Sequence, residues 1–220
     1  MKYKRITLLC GHYGSGKTNV AINMAFEIKK QQDLVAIADL DIVNPYFRTK
    51  DSVEELKSAG IKLIASEYAG SNVDIPALPA EMYSLTDDKS LYAVIDVGGD
   101  DRGALALGRI APSISEENNY ECLLVINRFR PLTPDAESTI EVMREIEAAG
   151  GIKITGIVNN SNLGAETTAE DVLGSVSYAL EVSRLTGLPV VCTCVNEPLY
   201  NELKGKIENL FPLRLQKKIN

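Results

Sequence analysis

The chain has 220 residues, 45% hydrophobic and 24% charged, the balance of a globular domain rather than a disordered or fibrous chain. Its formal net charge of −7 argues against broad electrostatic attraction to nucleic acid, so direct nucleic-acid binding is not expected. No apolar run reaches the length of a membrane span. Met1–Arg5 leads straight into the first apolar segment with no signal-peptide core, so a cytoplasmic location is expected.

The first element is Ile6-Thr7-Leu8-Leu9-Cys10, a short apolar run that reads as a buried strand. It is followed by Gly11-His12-Tyr13-Gly14-Ser15-Gly16-Lys17-Thr18, which fits the phosphate-loop pattern G-x-x-x-x-G-K-[ST] in full. Val20, Ala21, Met24, Ala25 and Ile28 then recur at helical spacing. Strand, loop and helix in that order are the context the motif requires. Glycines let successive backbone N–H groups converge on an anion, and the helix N-terminus adds partial positive charge. Lys17 is placed to reach the β- and γ-phosphates, and the Thr18 hydroxyl to ligate Mg²⁺. Asn19 completes the nucleotide-binding run.

Farther on, residues 33–41 read as a second buried strand that ends in Asp39 and Asp41. A loop over 42–50 precedes a helix from Asp51 to Ala59, and Ile61 to Ser66 is a third strand. Glu67 to Ala80 carries Gly70, Pro76 and Pro79 and reads as loop, with a helical turn over Glu81 to Leu85. Strands are expected at 91–96, 122–127, 154–159 and 189–195. Helices are expected from Gly103 to Ile110, from a Thr133 cap with Pro134 to about Ala149, from Thr168 to Thr186, and from Pro198 to Leu210. The alternation predicts an α/β fold of three layers, a mostly parallel sheet of about seven strands with helices on both faces. With no linker, repeat or low-complexity tract, residues 1–220 read as one domain.

In such a sheet, ligands bind beyond the C-terminal strand ends. Asp96 ends an apolar strand and is placed like the second Mg²⁺ acid of a phosphate-loop protein, acting through metal-bound water. Gly98 and Gly99 after it allow a close backbone approach to a γ-phosphate. Asp39 and Asp41 share one side of an extended chain. Asp39 is assigned to Mg²⁺ through water, and Asp41 to orienting the attacking water. The four cysteines, Cys10, Cys122, Cys192 and Cys194, all fall in predicted strands without a C-x-x-C and read as buried, reduced thiols. His12 is the one histidine, which excludes a histidine metal cluster.

The phosphate loop, the strand ending Asp39-Leu40-Asp41 and the strand ending Asp96-Val97-Gly98-Gly99 together resemble the MinD/ParA group of P-loop ATPases, in the SIMIBI class. Iron–sulfur carrier ATPases, cobyrinic-acid synthases of the CobQ/CobB kind and dethiobiotin synthetase share the pattern. The resemblance implies a P-loop NTPase fold, ATP and Mg²⁺ as cofactors, and switch regions at Asp39–Asp41 and at Asp96–Asp101. It also implies adenine reading by Asn159 and Asn160, with the segment of Asn196 and Pro198 packed against the base. The chain departs from the group at His12, where a lysine commonly reaches across a dimer. Imidazole can donate to phosphate without an ammonium's fixed charge. Arg48, Arg102, Arg128 and Arg130 are candidates to compensate, with Arg48 and Arg102 favoured because each follows a switch segment.

Two functions follow as expectations. The first is an ATPase switch that binds ATP or ADP and a partner protein or macromolecule, with a homodimer among the assemblies open to it. The second is a small-molecule ATP-dependent kinase or carboxylate-activating ligase. There, Glu67–Ala80 and Asn127–Thr133 form an acceptor pocket, and Arg48, Arg128 and Arg130 hold an anionic substrate. In the basic tail, Leu199, Leu203, Ile207 and Leu210 lie at helical spacing and are expected to pack on the sheet rather than on a membrane.

Overall fold

The computed structural model describes residues 2–40, 50–65, 80–99 and 101–214. The chain runs β1 (Ile6–Cys10), α1 (Lys17–Lys29), β2 (Val35–Asp39), α2 (Lys50–Ser58), β3 (Ile61–Ala65), α3 (Ser84–Asp87) and β4 (Tyr92–Asp96). It continues with α4 (Asp101–Gly108), α5 (Ala111–Glu117), β5 (Tyr120–Ile126), α6 (Ala136–Gly150), β6 (Gly156–Asn159), α7 (Ala169–Thr186), β7 (Val190–Asn196), α8 (Glu197–Leu203) and β8 (Leu210–Leu213). All eight strands pair in parallel, in the order β3-β2-β4-β1-β5-β6-β7-β8.

Burial on both faces explains the near-continuous apolar strands. Leu9, Val94 and Val125 meet Val20, Met24 and Ile28 of α1 and Leu56 of α2 on one face. Leu8, Cys10, Ile95 and Leu124 meet Leu107, Ile114, Ile140 and Val182 of α4 to α7 on the other. β1 therefore lies in the middle of the sheet, and its C-terminal end opens between β4 and β5.

The differences from the sequence reading have local causes. The sheet has an eighth strand where the last helix was expected to run to Leu210. α8 stops at Leu203, and β8 buries Phe211 and Leu213 while Pro212 faces outward. An edge strand tolerates a proline because its missing N–H takes no ladder bond. Leu203 is fully buried and Leu199 packs on the same cluster from α8, whereas Ile207 and Leu210, expected on that helix, reach it from the chain after α8 and from β8. α6 is capped by Asp135, which accepts from Ser138 N at 2.9 Å, not by Thr133. Thr133 instead closes the preceding loop by donating to the Asn127 carbonyl at 2.8 Å. The helix expected over 103–110 is α4, and a separate α5 follows with Pro112 in its first turn, where a missing N–H is harmless.

The four cysteines are free and buried, with Cys10 Sγ 3.6 Å from Cys122 Sγ. The Cys10 contact and burial push the Cys122 thiol well above its usual range. Among the described residues, no helix is long and apolar enough to cross a membrane.

Candidate functional site

β1 delivers the chain to the middle of the sheet, and the phosphate loop turns it back into α1. Ser15 N donates to the His12 carbonyl at 3.1 Å, which closes the turn. Gly16, at φ +86°, forms the left-handed entry to α1, and a Cβ there would strike the Asn160 amide. Lys17 is buried and folds over the loop, its Nζ donating to the Gly11 carbonyl at 2.9 Å and the His12 carbonyl at 3.2 Å. His12 Nδ1 lies 2.9 Å from the Tyr13 carbonyl.

Three strand ends meet beside the loop. Asp39 and Asp96 are register partners on β2 and β4, and both are buried. Leu40 N donates to the Asp96 carbonyl at 2.9 Å, and Val97 N to the Leu9 carbonyl at 3.0 Å. Thr18 Oγ1 donates to Asp96 Oδ2 at 2.6 Å, so the last residue of the loop motif and the strand-end acid are already in contact. Two buried carboxylates and a hydroxyl form a hard oxygen donor set, the kind that suits Mg²⁺. Gly99 sits on the loop itself: a Cβ there would lie 2.7 Å from Tyr13 N and 3.1 Å from Lys17 Nζ. A Cβ on Gly103, in α4, would lie 2.6 Å from Gly98 Cα. The segment after Asp96 is thus wedged between the phosphate loop and the first turn of α4.

The opposite flank is an asparagine network. Asn159 is fully buried; its Nδ2 donates to Ser175 Oγ at 2.8 Å and its Oδ1 accepts from Ser161 Oγ at 2.8 Å. Asn160 Nδ2 donates to the Ser15 carbonyl at 2.7 Å, tying the end of β6 to the phosphate loop. Asn127 Oδ1 accepts from Phe129 N at 3.0 Å, and Asn127 Nδ2 donates to the Asn162 carbonyl at 3.2 Å. Asn196 Nδ2 donates to the Gly164 carbonyl at 3.2 Å, which joins the loop after β7 to the loop after β6. Pro198 lies in the first turn of α8 beside it.

The polar atoms left over point to a polar ligand. Ser15 Oγ, Asn19 Oδ1 and Arg130 Nε are buried without a hydrogen-bond partner among the described residues. All three belong to the loop run or to a residue packed on it. Buried polar groups are ordinarily satisfied, so three orphans around one glycine-rich turn fit a bound phosphate-bearing molecule.

The structure thus brings together Gly11 to Asn19, Asp39, Asp96, Asn159, Asn160, Asn196 and Pro198 at one edge of the sheet. Asp41, Arg48 and the expected acceptor loop up to residue 79 lie outside the described residues, as does the side chain of Arg102. Arg128 turns away, its Nη1 donating to the Gly174 carbonyl at 2.9 Å. Among the described residues Arg130, less favoured from sequence than Arg48 or Arg102, is the arginine that reaches the loop. The available signal was position: it follows β5, the strand next to β1, by four residues.

No protein-family model and no curated protein sequence matches the chain. Among solved structures it is similar to the signal recognition particle receptor FtsY. The Mycoplasma mycoides FtsY is 18% identical, with TM-score 0.55, covering 88% of this chain and 61% of that one. The Thermotoga maritima FtsY is 20% identical, with TM-score 0.54, covering 86% and 61%. The Elizabethkingia anophelis FtsY, solved in complex with GDP, is 16% identical, with TM-score 0.52, covering 89% and 58%. These likenesses show the fold. It is a parallel α/β fold, P-loop NTPase-like in its layers. The chain spans about three fifths of the length of these FtsY structures.

Proposed function

We propose that the chain is a Mg²⁺-dependent ATP-binding protein and ATPase that works as a nucleotide-dependent switch of the MinD/ParA type in the cytoplasm. The observation that carries this reading is the wedge of Gly98 and Gly99 between the phosphate loop and α4. A group bound in the loop must contact or displace that wedge, and α4 is packed directly on it. The backbone N–H groups of Gly14 to Thr18 would cradle the phosphates, and Lys17 would exchange its loop carbonyls for β- and γ-phosphate oxygens. Thr18 would hold Mg²⁺ directly, and Asp96 and Asp39 would hold it through water. Bound Mg²⁺ neutralises charge that develops on the phosphates. Among the described residues no three His, Cys, Asp or Glu side chains cluster as a metal site, and a site of this kind needs none, because phosphates and water would supply the remaining ligands. Asp41 orients the attacking water. The rim of Asn159, Asn160, Asn196 and Pro198 receives adenine; the present amide bonds of Asn159 and Asn160 make part of that role one of shaping the rim.

In this reading ATP and ADP select two shapes of the segment from Asp96 to α4, and a protein partner or a second copy of the chain responds to them. The kinase reading would build its acceptor pocket from Asn127–Thr133 and from the loop up to residue 79, which lies outside the described residues.

The test is calorimetric titration with Mg²⁺ and ATP, ADP or GTP, followed by light scattering and hydrogen exchange with ADP and with a non-hydrolysable ATP analogue. Tighter binding of ATP than of GTP is expected, with a change of mass or of exchange over residues 97–108 under the ATP analogue alone. Identical mass and exchange in both nucleotides would refute the switch. Turnover that rises sharply with a small anionic metabolite would favour the kinase.

A further inference from the structure

We propose that Arg130 is a phosphate-contacting residue, whose guanidinium donates to the polyphosphate chain of a bound nucleoside triphosphate beside Gly14. This inference rests on the nucleotide-binding reading above.

A Cβ built on Gly14 would lie 3.5 Å from Arg130 Nε and 3.8 Å from its Cζ, so the guanidinium lies against the middle of the phosphate loop. Its Nε is buried and finds no acceptor among the described residues. No carboxylate among the described residues pairs with it either, in contrast to Arg5, Arg184 and Arg214. A desolvated guanidinium donor without an acceptor is costly, and its planar fork matches the oxygens of a phosphate.

The side chain is presented by a rigid segment rather than a floppy one. Between β5 and α6, Arg130 N donates to the Asn127 carbonyl at 3.2 Å, and Thr133 N donates to the Arg130 carbonyl at 3.1 Å. Thr133 Oγ1 closes the turn on the same Asn127 carbonyl at 2.8 Å. Tyr178 Oη then donates to the Thr133 carbonyl at 3.1 Å, fixing the whole turn to α7. The backbone that carries the arginine is thus ordered before a ligand arrives.

Charge balance points the same way. A nucleoside triphosphate would enter a site that already holds the buried acids Asp39 and Asp96. Arg130 brings a permanent cation to the loop from the same chain.

The experiment compares wild type with Arg130→Ala, Arg130→Lys and, as a surface control, Arg184→Ala. Titration with Mg²⁺-ATP, Mg²⁺-GTP and Mg²⁺-tripolyphosphate gives affinities, and thermal unfolding without ligand monitors the fold. Removing a charge-assisted hydrogen bond should weaken nucleotide and tripolyphosphate alike by about tenfold or more. Arg130→Lys should recover part of the loss, because it restores charge without the fork, and unliganded unfolding should stay as in wild type. Wild-type affinities in Arg130→Ala would overturn the proposal while leaving nucleotide binding intact. A loss for nucleotide without a loss for tripolyphosphate would overturn it too, by assigning Arg130 to the base or sugar. Wild-type protein that binds none of the three ligands would sink both this proposal and the reading beneath it.

Discussion

Replacing Asn160 by alanine separates two jobs that the sequence alone runs together. The amide is buried, and its Nδ2 donates to the Ser15 carbonyl at 2.7 Å, the shortest link between β6 and the phosphate loop. Alanine leaves that carbonyl buried and unpaired, at a cost of about 1–3 kcal/mol. The urea midpoint should fall accordingly, with an unchanged slope. Because the bond holds the turn in which Gly16 enters α1, the loop also loses pre-organisation, and about tenfold in affinity accompanies each ~1.4 kcal/mol that binding must supply to restore it. A residue that acts by shaping the loop should weaken Mg²⁺-ATP and Mg²⁺-tripolyphosphate equally. A residue that reads adenine should weaken ATP alone and narrow the ATP-to-GTP ratio. The assay is therefore urea unfolding alongside titration with all three ligands. An unchanged midpoint together with unchanged affinities would refute the clamp, whereas an ATP-only loss would return Asn160 to base reading.

Gly99→Ala puts a Cβ 2.7 Å from the Tyr13 backbone nitrogen, which cannot yield as a flexible side chain would. It should cost about 1–3 kcal/mol in thermal unfolding and impair Mg²⁺-nucleotide binding; wild-type behaviour would remove the wedge from the mechanism. Lys17→Ala should abolish tight ATP binding by calorimetry, and Asp41→Asn should keep binding but slow phosphate release; normal affinity in the first or normal turnover in the second would reassign those roles. Glu117 is held by a bidentate contact with buried Arg5, with Lys89 assisting, and its carboxyl drops from 4.5 to about 2. A lowered folded-state value stabilises above the unfolded one, so stability should be full above pH 4.5 and fall as pH drops toward about 2. The full shift would be worth about 3 kcal/mol, and on the order of 1 kcal/mol once solvent screening is allowed for. Glu117→Gln should flatten acid unfolding curves over that range, and an unchanged curve would refute the assignment.

The strands were readable because this sheet is buried on both faces. Val35–Asp39 and Ile6–Cys10 are buried throughout, and such strands betray themselves as unbroken apolar runs. β8 escaped because it is an edge: four residues with a proline in the middle lack that signature, and the preceding leucines mimic a helix. The phosphate loop and Asp96 were legible since both are set by local order, a motif between strand and helix and an acid at a strand end. The contacts of the asparagines were not. Asn159 and Asn160 are adjacent in sequence, yet one points into Ser175 and the other into Ser15, because neighbouring residues on a strand face opposite sides. Arg130 was hidden for a related reason. Only the pairing of β5 with β1 places its loop over Gly14, and strand order is a tertiary fact.

Three separate loops bear on one eight-residue turn, and the arrangement has a physical logic. A glycine-rich loop holds phosphate through its backbone N–H groups, so its affinity depends on those groups being aligned before the ligand arrives. Glycines oppose such order, since they lose the most conformational freedom when fixed. The cost has to be offset by contacts from outside the turn, and here these come from β6 through Asn160, from β4 through Thr18–Asp96 and Gly99, and from the loop after β5 through Arg130. The contacts differ in kind. The Asn160 bond joins two buried, neutral groups and has no reason to change when an anion binds. Gly99 and Arg130 instead lie where the anion would be, one limited by space and the other by charge. In the proposed switch, a change of state in the loop would leave the β6 side and the turn after β5, fixed to α7, in place and be taken up on the side of β4. That is where α4 begins, and α4 packs against α6.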